Sequence, residues 1–256
     1  MTGVKKNAVV FFGLFLVGML FVPPGIPFMI PEAEAVSASH ISIGQSGTTN
    51  GGDCSTVGTW QPQPNSSFPN GGICTLTADI QITGTGAGIN IGSSSVTLDG
   101  AGHTVTGTQT SGSNHMGLTT CNQCHTMVVK DLTIKNFSWG LRSYDANGLT
   151  ITGVTVENVG SQGMYINSVD SLVLENNVIN ADYKSSGIYL NSCSGSNYTD
   201  SVANNTIISH DPNNSYGVYV NTSRPAIMSN NIFYNLTTGI RNNSSSNNIS
   251  YNDFYN

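Results

Sequence analysis

Apolar and polar residues alternate in many short stretches of this chain. Three of these stretches carry their apolar residues at Ile80 and Ile82, at Val96 and Leu98, and at Leu172 and Leu174. A period of two places successive side chains on opposite faces of a β-strand, so each stretch predicts a short strand with one buried face. After the first 35 residues, no stretch shows the 3.6-residue period of an amphipathic helix. The pattern therefore predicts an all-β fold.

A short phrase that begins with glycine recurs along most of the chain. Its copies begin at Gly117, Gly140, Gly163, Gly187, Gly217 and Gly239. The steps between these glycines are 23, 23, 24, 30 and 22 residues, and the later copies read Gly-Ile-Tyr-Leu-Asn or Gly-Val-Tyr-Val-Asn. A period in this range predicts a solenoid, in which each repeat buries its apolar face against its neighbours.

Asparagines occupy two further repeated positions. Four of them lie four residues after a repeated glycine: Asn167, Asn191, Asn221 and Asn243. In stacked coils these side chains would align as a ladder of amide hydrogen bonds. A second set consists of the pairs Asn176-Asn177, Asn204-Asn205 and Asn230-Asn231. Because asparagine tolerates left-handed backbone angles, we expect a sharp bend at each pair.

These phrases resemble a known family. The segment Leu-Asp-Gly-Ala-Gly-His-Thr-Val at residues 98–105 resembles an early coil of the right-handed parallel β-helix (pectate-lyase-like) superfamily, and the Gly-Ile-Tyr-Leu-Asn and Val-x-Asn-Asn-x-Ile phrases resemble later coils. The chain is most similar to the repeat group that contains the NosD-like accessory copper proteins of nitrous-oxide reductase and sugar-hydrolase-associated domains. Over residues 76–256 the resemblance implies a single-stranded right-handed parallel β-helix of about seven coils and three parallel sheets. It places turn and core residues and does not choose an activity.

The first 35 residues have the three parts of an export signal. Lys5 and Lys6 form a basic start, residues 9–22 form an apolar run, and residues 33–35 form a small-residue cleavage site. An uncleaved membrane anchor is the alternative, because residues 8–30 carry no charge. We therefore expect an extracellular, cell-surface or periplasmic protein, anchored to the membrane if the signal is not cleaved.

The chain is acidic, with 14 Asp and Glu against 8 Lys and Arg and a net charge of −6. Removal of the leader leaves this charge unchanged, because two lysines and two glutamates lie within it. Such a surface argues against a nucleic-acid partner.

Export permits disulfides, and the chain has five cysteines. Cys54 and Cys74 flank a loop that contains Trp60, just before strand alternation begins at Leu76. We predict that they pair and that residues 36–75 form a cap on the first coil, because a solenoid end exposes backbone and apolar side chains. Two free, buried thiols are the alternative.

One outward position of the repeated phrase is occupied by a large side chain in most copies, and these side chains would form a row. The first and third residues after each glycine are mostly apolar, so the second points outward, and it reads Arg142, Tyr165, Tyr189, Tyr219 and Arg241 on consecutive copies. Aromatic faces suit sugar rings, and guanidinium groups suit hydroxyls or carboxylates. In the resembling pectate lyases and polygalacturonases, the corresponding sheet carries the substrate groove. These residues predict a glycan-binding surface, and plain stacking that stabilises the sheet is the alternative.

The sharpest local motif is Cys-Asn-Gln-Cys-His at residues 121–125. Its letters match the c-type haem attachment pattern, but no surrounding apolar pocket is evident, so the context disfavours haem. A Cys121–Cys124 disulfide, a copper or zinc site and free thiols are the alternatives. The candidate metal ligands are Cys121, Cys124, His125, His115 and Met116. With the disulfide reading, no cofactor is expected.

No complete catalytic motif is present, so we assign no catalytic residue. The turn aspartates form none of the motif sets of a polygalacturonase, and the clustered aspartates of a lyase are also missing. The leading hypothesis is an exported β-helix that binds glycan or serves as a rigid spacer. The alternatives are a copper-handling accessory protein and a divergent polysaccharide lyase or hydrolase.

In the last repeat, Gly239 to Asn256, the positions expected to point inward turn polar at Asn242 and Ser250. Either this polar coil forms a weak cap, or another chain continues the stack at the C-terminal end.

Overall fold

Short strands make up most of the described chain. The computed structural model describes residues 34–44, 52–63, 71–108, 115–181, 186–192, 200–210, 215–223, 225–244 and 247–255. The predicted export signal, up to residue 33, and Cys193 lie outside these residues. Within the described residues, no helix has the length and apolarity that crossing a membrane requires.

The elements follow one another in a regular order. They are β1 (Val36–Ala38), β2 (Ile41–Ile43), α1 (Cys54–Val57), β3 (Gly58–Pro62), β4 (Gly72–Leu76), β5 (Ile80–Ile82), β6 (Ala87–Ile91), β7 (Val96–Asp99), β8 (Thr104–Thr106), β9 (Met116–Thr120), β10 (His125–Lys130), β11 (Thr133–Phe137), β12 (Trp139–Tyr144), β13 (Asn147–Thr152), β14 (Thr155–Val159), β15 (Met164–Asn167), β16 (Asp170–Glu175), β17 (Val178–Ala181), β18 (Ser186–Asn191), β19 (Asp200–Ala203), β20 (Thr206–Ser209), β21 (Tyr216–Asn221), β22 (Ala226–Ser229), β23 (Ile232–Tyr234), β24 (Thr238–Asn242), β25 (Asn248–Ser250) and β26 (Asp253–Tyr255).

The strands form three sheets that the chain visits in turn. Sheet 1 has the order β1-β5-β8-β11-β14-β17-β20-β23-β26, sheet 2 the order β2-β6-β9-β12-β15-β18-β21-β24, and sheet 3 the order β3-β4-β7-β10-β13-β16-β19-β22-β25. Except for β3, each strand pairs in parallel with the equivalent strands of the neighbouring coils, as β15 does with β12 and β18. The result is a right-handed parallel β-solenoid of about seven turns, which confirms the predicted fold.

The sheets begin earlier than the sequence pattern indicates. Strands β1 and β2 already pair in parallel with β5 and β6, so residues 36–43 belong to the first coil and not only to a cap. Their strands are three residues long, too short for the alternation to stand out, yet Ile41 and Ile43 are buried. Next come α1 and β3, and β3 runs antiparallel to β4 at the edge of sheet 3. A disulfide joins Cys54 in α1 to Cys74 in β4, and both cysteines are buried.

The repeated glycines lie where adjacent coils approach closely. A Cβ atom placed on Gly163 would lie 2.6 Å from the carbonyl oxygen of Gly187, and one placed on Gly187 would lie 2.9 Å from that of Gly217. Contacts this short displace backbone, so no larger residue fits at these positions in the present stacking. The repeated glycines in the sequence are therefore explained by the close approach of stacked coils.

The asparagine pairs form the bends between sheets 3 and 1. The first member of each pair has a positive φ, 57° at Asn176, 56° at Asn204 and 56° at Asn230. This left-handed conformation makes the bend that the sequence predicts. It also turns the second asparagine of each pair into the interior, where Asn177, Asn205 and Asn231 are buried.

These buried asparagines form a continuous ladder that the sequence pattern does not indicate. The Nδ2 of Asn177 donates to Oδ1 of Asn205 at 3.0 Å, Asn205 donates to Asn231 at 3.0 Å, and Asn231 donates to Asn252 at 2.9 Å. Each Nδ2 also donates to a backbone carbonyl of a neighbouring coil. The ladder therefore satisfies buried amides and holds successive coils in register.

The last coil differs from the sequence expectation. Asn242 does lie in register with the buried Val220, but Ser250 pairs with Ser229, on the outer side of sheet 3. The inward residue of β25 is Ile249, in register with the buried Met228, and it is 43% exposed. Phe254 of β26 stacks on Phe233 at 5.0 Å and is 58% exposed. The interior of this coil is thus more apolar than predicted.

Candidate functional site

The file of arginines and tyrosines lies on the outer face of sheet 2. Arg142 pairs in register with Tyr165, Tyr165 with Tyr189, Tyr189 with Tyr219, and Tyr219 with Arg241. The residues on either side of each tyrosine are buried, whereas the tyrosines are half-buried and Arg241 is exposed. Five side chains far apart in sequence therefore form one continuous row along the solenoid.

The tyrosine rings contact one another within this row. The ring centroids of Tyr189 and Tyr219 are 4.7 Å apart, and their planes differ by only 11°. Tyr165 meets Tyr189 edge to face, with centroids 5.4 Å apart and planes at 77°. The facing sides of Tyr189 and Tyr219 are consequently covered by each other. The sides of these two rings that face each other are therefore not available to stack on a sugar ring.

Three more aromatic residues extend the surface. Trp139 and Tyr144 lie on β12, where their ring centroids are 5.5 Å and 5.8 Å from that of Tyr165, and Tyr216 lies on β21, 5.7 Å from Tyr219. The alternation could have indicated Tyr144, which lies two residues after the outward Arg142. It does not indicate Trp139 or Tyr216, because strict alternation would place the residue just before a repeated glycine inward. We call the eight residues together the aromatic face: Trp139, Arg142, Tyr144, Tyr165, Tyr189, Tyr216, Tyr219 and Arg241.

The two arginines are held by aromatic rings. The guanidinium carbon of Arg142 lies 4.9 Å from the ring centroid of Trp139, 4.7 Å from that of Tyr144 and 5.6 Å from that of Tyr165. Its Nη1 lies 3.9 Å from the sulfur of Met116, and its Nε is buried without a hydrogen-bond partner. These contacts fix the planar group and leave its charge without a carboxylate among the described residues.

Arg241 occupies the other end of the aromatic face. Its guanidinium carbon lies 4.7 Å from the ring centroid of Tyr219 and 5.1 Å from that of Tyr216, and its Nη1 donates to the Tyr216 hydroxyl at 2.9 Å. Both ends of the row therefore carry an oriented cation.

The predicted outer asparagine ladder runs beside the tyrosines. Asn191 donates from Nδ2 to Oδ1 of Asn167 at 2.8 Å, and Asn221 donates to Asn191 at 2.9 Å. Asn243 donates instead to the hydroxyl oxygen of Tyr219 at 3.1 Å. The amide of Asn191 also reaches the Tyr165 hydroxyl at 3.4 Å. As an acceptor, a tyrosine hydroxyl uses an oxygen lone pair, so its own hydrogen is not consumed by this bond.

The candidate metal ligands lie at two separate places. His115 and Met116 are at the start of β9, and His115 is buried against Phe137 with ring centroids 4.8 Å apart. Cys121 and Cys124 follow the end of β9, roughly 16 to 20 Å along the strand from that pair. The five residues therefore do not converge on one ion.

The two cysteines form a disulfide in the turn that leads into β10. His125 begins that strand, and its backbone N–H donates to the Ser94 hydroxyl at 2.9 Å. No three His, Cys, Asp or Glu residues of the described chain are placed to hold one metal ion. In this oxidised state the donor set does not fit a copper or zinc centre, because a disulfide offers no thiolate.

The turn aspartates that the structure describes lie in three different places. Asp145 is exposed at the corner after β12, and Asp170 begins β16 on sheet 3. Asp200 is buried in β19, where its Oδ1 accepts the backbone N–H of Leu172 at 3.1 Å. Asp182 and Asp211 lie outside the described residues.

Comparison with models of known protein families gives a match over the solenoid. A family model described as periplasmic copper-binding protein (NosD) matches residues 74–256, which span the solenoid from β4 onward. Searches of curated proteins and of solved structures found no significant match. The periplasmic description of the family supports an exported protein. Because the match covers well over half of the chain, this protein belongs to the NosD family.

Proposed function

We propose that this exported NosD-family protein binds a linear glycan along the aromatic face of sheet 2. The observation that carries the proposal is the register of Tyr165, Tyr189 and Tyr219, which repeats one polar-tipped aromatic side chain on each coil. Adjacent coils are about 4.8 Å apart, which is comparable to the length of one sugar unit in an extended polysaccharide. A glycan that runs parallel to the solenoid axis would meet the same chemistry at every unit.

The contacts expected are hydrogen bonds and ring-edge contacts. Since Tyr189 and Tyr219 cover each other's faces, the sugar meets exposed ring edges, tyrosine hydroxyls and the neighbouring asparagine amides. These groups are already fixed by their mutual contacts. Little side-chain entropy is then lost on binding, which favours affinity.

A binding measurement on matched variants tests this proposal. Tyr189→Ala removes the centre of the row, and we expect it to reduce the affinity for polysaccharide at least about tenfold, in keeping with the loss of an aromatic contact and a hydrogen bond. Tyr189→Phe keeps the ring stack and removes only the hydroxyl, so we expect a smaller loss. The control is Tyr234→Ala on sheet 1, where Tyr234 is 52% exposed. Equal retention of all three variants on a polysaccharide column would contradict the proposal.

Copper handling is a second candidate, favoured by the description of the family. Reduction of the Cys121–Cys124 disulfide would present two thiolates in one turn beside His125, and such ligands suit copper(I). Copper would then be a cargo whose binding depends on the redox state of the pair.

Competition with a copper(I) chromophore tests this candidate. We expect the reduced protein to take up copper(I) and the oxidised protein not to do so. The double variant Cys121→Ser/Cys124→Ser should bind none in either state, while the buried Cys54–Cys74 disulfide serves as the internal control. Uptake that persists in the double variant would rule out this site.

A further inference from the structure

Charge is distributed unevenly among the three sheets. The eight strands of sheet 2 contain two arginines, Arg142 and Arg241, and no Asp or Glu. All the acidic residues that lie within the named strands are on the other two sheets: Asp99, Glu157, Asp170, Glu175, Asp200 and Asp253. The protein as a whole has a net charge of −6. The aromatic face is therefore a locally cationic surface on an acidic protein.

The described cations differ in their surroundings. Lys130 on sheet 3 donates to Asp99 at 2.6 Å, and Lys135 on sheet 1 lies in register with Glu157. Arg142 and Arg241, by contrast, form no ion pair with any described carboxylate. The nearest acidic residue along the sequence is Asp145, which is exposed at the corner after β12. No described carboxylate therefore neutralises either arginine of the aromatic face, and both charges are available for a ligand.

The geometry of the arginines suits acidic groups. The guanidinium of Arg142 is held by contacts with three aromatic rings. Arg241 is exposed and oriented by Tyr216 and Tyr219. A planar guanidinium held in this way is pre-organised to bind a carboxylate through two N–H donors. The two groups lie four coils apart, or about 19 Å along the axis.

We infer that the ligand of the aromatic face is an acidic polysaccharide with carboxylate groups, such as a chain of uronic acids, anchored near its ends by Arg142 and Arg241. This inference rests on the proposed glycan binding and names its ligand class. The tyrosines between the arginines contact the intervening sugar units. The absence of carboxylates from the strands of sheet 2 removes the repulsion that the acidic protein would otherwise exert on such a chain.

Calorimetric titration of the full chain with three probes tests the inference. The probes are alginate oligosaccharides, which are uronic-acid chains, neutral dextran oligosaccharides of the same length, and dextran sulfate. We expect alginate to bind at least about tenfold more tightly than dextran, with an affinity that falls as salt is added. Arg241→Gln should weaken alginate binding by about tenfold and dextran binding by less, so the ratio of the two affinities should fall. Because Arg241 is exposed, this substitution does not disturb the core.

A control variant and three possible outcomes distinguish the acidic ligand from glycan binding in general. Lys135→Gln removes a cation from sheet 1 and should leave alginate binding unchanged. Equal, salt-independent binding of alginate and dextran would overturn the acidic ligand while the glycan proposal stands. Equal binding of dextran sulfate and alginate would overturn the preference for carboxylates. Failure to bind any of the three probes would count against the glycan proposal itself.

Discussion

The buried asparagine ladder gives the sharpest prediction about stability. The side-chain amide of Asn205 makes four hydrogen bonds. Its Oδ1 accepts from the backbone N–H and from the Nδ2 of Asn177, both at 3.0 Å. Its Nδ2 donates to the Leu174 carbonyl at 2.9 Å and to Oδ1 of Asn231 at 3.0 Å. The substitution Asn205→Ala removes all four bonds from a site with no exposed surface.

The size of the effect follows from what remains bonded. Asn177 keeps the bond from its Nδ2 to the Ile151 carbonyl, and Asn231 Oδ1 still accepts the backbone N–H of residue 205. The backbone N–H of Asn177 loses its described partner. One buried group left unsatisfied costs about 1–3 kcal/mol, and the loss of the other three hydrogen bonds and a small cavity add to it. We expect a loss of about 3–5 kcal/mol in the free energy of unfolding.

Urea unfolding of the folded variants measures this loss. The matched control is Asn191→Ala in the outer ladder, where the side chain is half-buried and water can replace the lost bonds. For that variant we expect a loss of about 1 kcal/mol or less. The slope of the transition should be compared as well, because weakened coupling between coils would broaden it. A loss at Asn205 no larger than that at Asn191 would refute the ladder as a major source of stability.

Three further predictions concern the stacking, the charges and the end of the solenoid. Gly163→Ala should destabilise the protein by more than about 2 kcal/mol or prevent folding, because its Cβ meets the carbonyl of Gly187; near-native urea stability would contradict this. Burial alone would raise the pKa of Asp99, but the hydrogen bond from Lys130 lowers it. The ion pair should therefore add under about 1 kcal/mol to the free energy of unfolding above pH about 3.9, and this contribution should be lost as the pH falls through the lowered pKa. Lys130→Met should remove this pH dependence from urea titrations, and an unchanged profile would exclude it. If another chain continues the stack, light scattering should show an assembly that Phe254→Asp reduces to monomers, whereas a monomeric parent chain would contradict that expectation.

Much of the fold could be predicted from the sequence because the constraints are local and repeated. The spacing of Gly163, Gly187 and Gly217 reflects a steric limit that recurs once in each coil. The alternation around Tyr165 and Tyr189 assigns inward and outward positions correctly, since a strand has no other way to place them. The same logic puts the row of tyrosines and arginines on one sheet.

Other features depend on side-chain geometry that no letter pattern encodes. The pair Asn204-Asn205 predicts a bend, but which member turns inward depends on the positive φ of the first. The stacking of Tyr189 on Tyr219 depends on the side-chain torsions of both rings. The first coil was also missed in part, because strands of three residues show too little alternation to be recognised.

Tyrosine resonances provide the most direct test of the glycan-binding surface. In protein labelled at its tyrosine rings, titration with alginate oligosaccharides should shift the signals of Tyr165, Tyr189 and Tyr219 on sheet 2. The signals of Tyr234 and Tyr255 on sheet 1, which are each 52% exposed, should stay in place. Shifts confined to the sheet 1 tyrosines would contradict a binding site on the aromatic face. The absence of any shift with either alginate or dextran oligosaccharides in excess over the protein would contradict it as well.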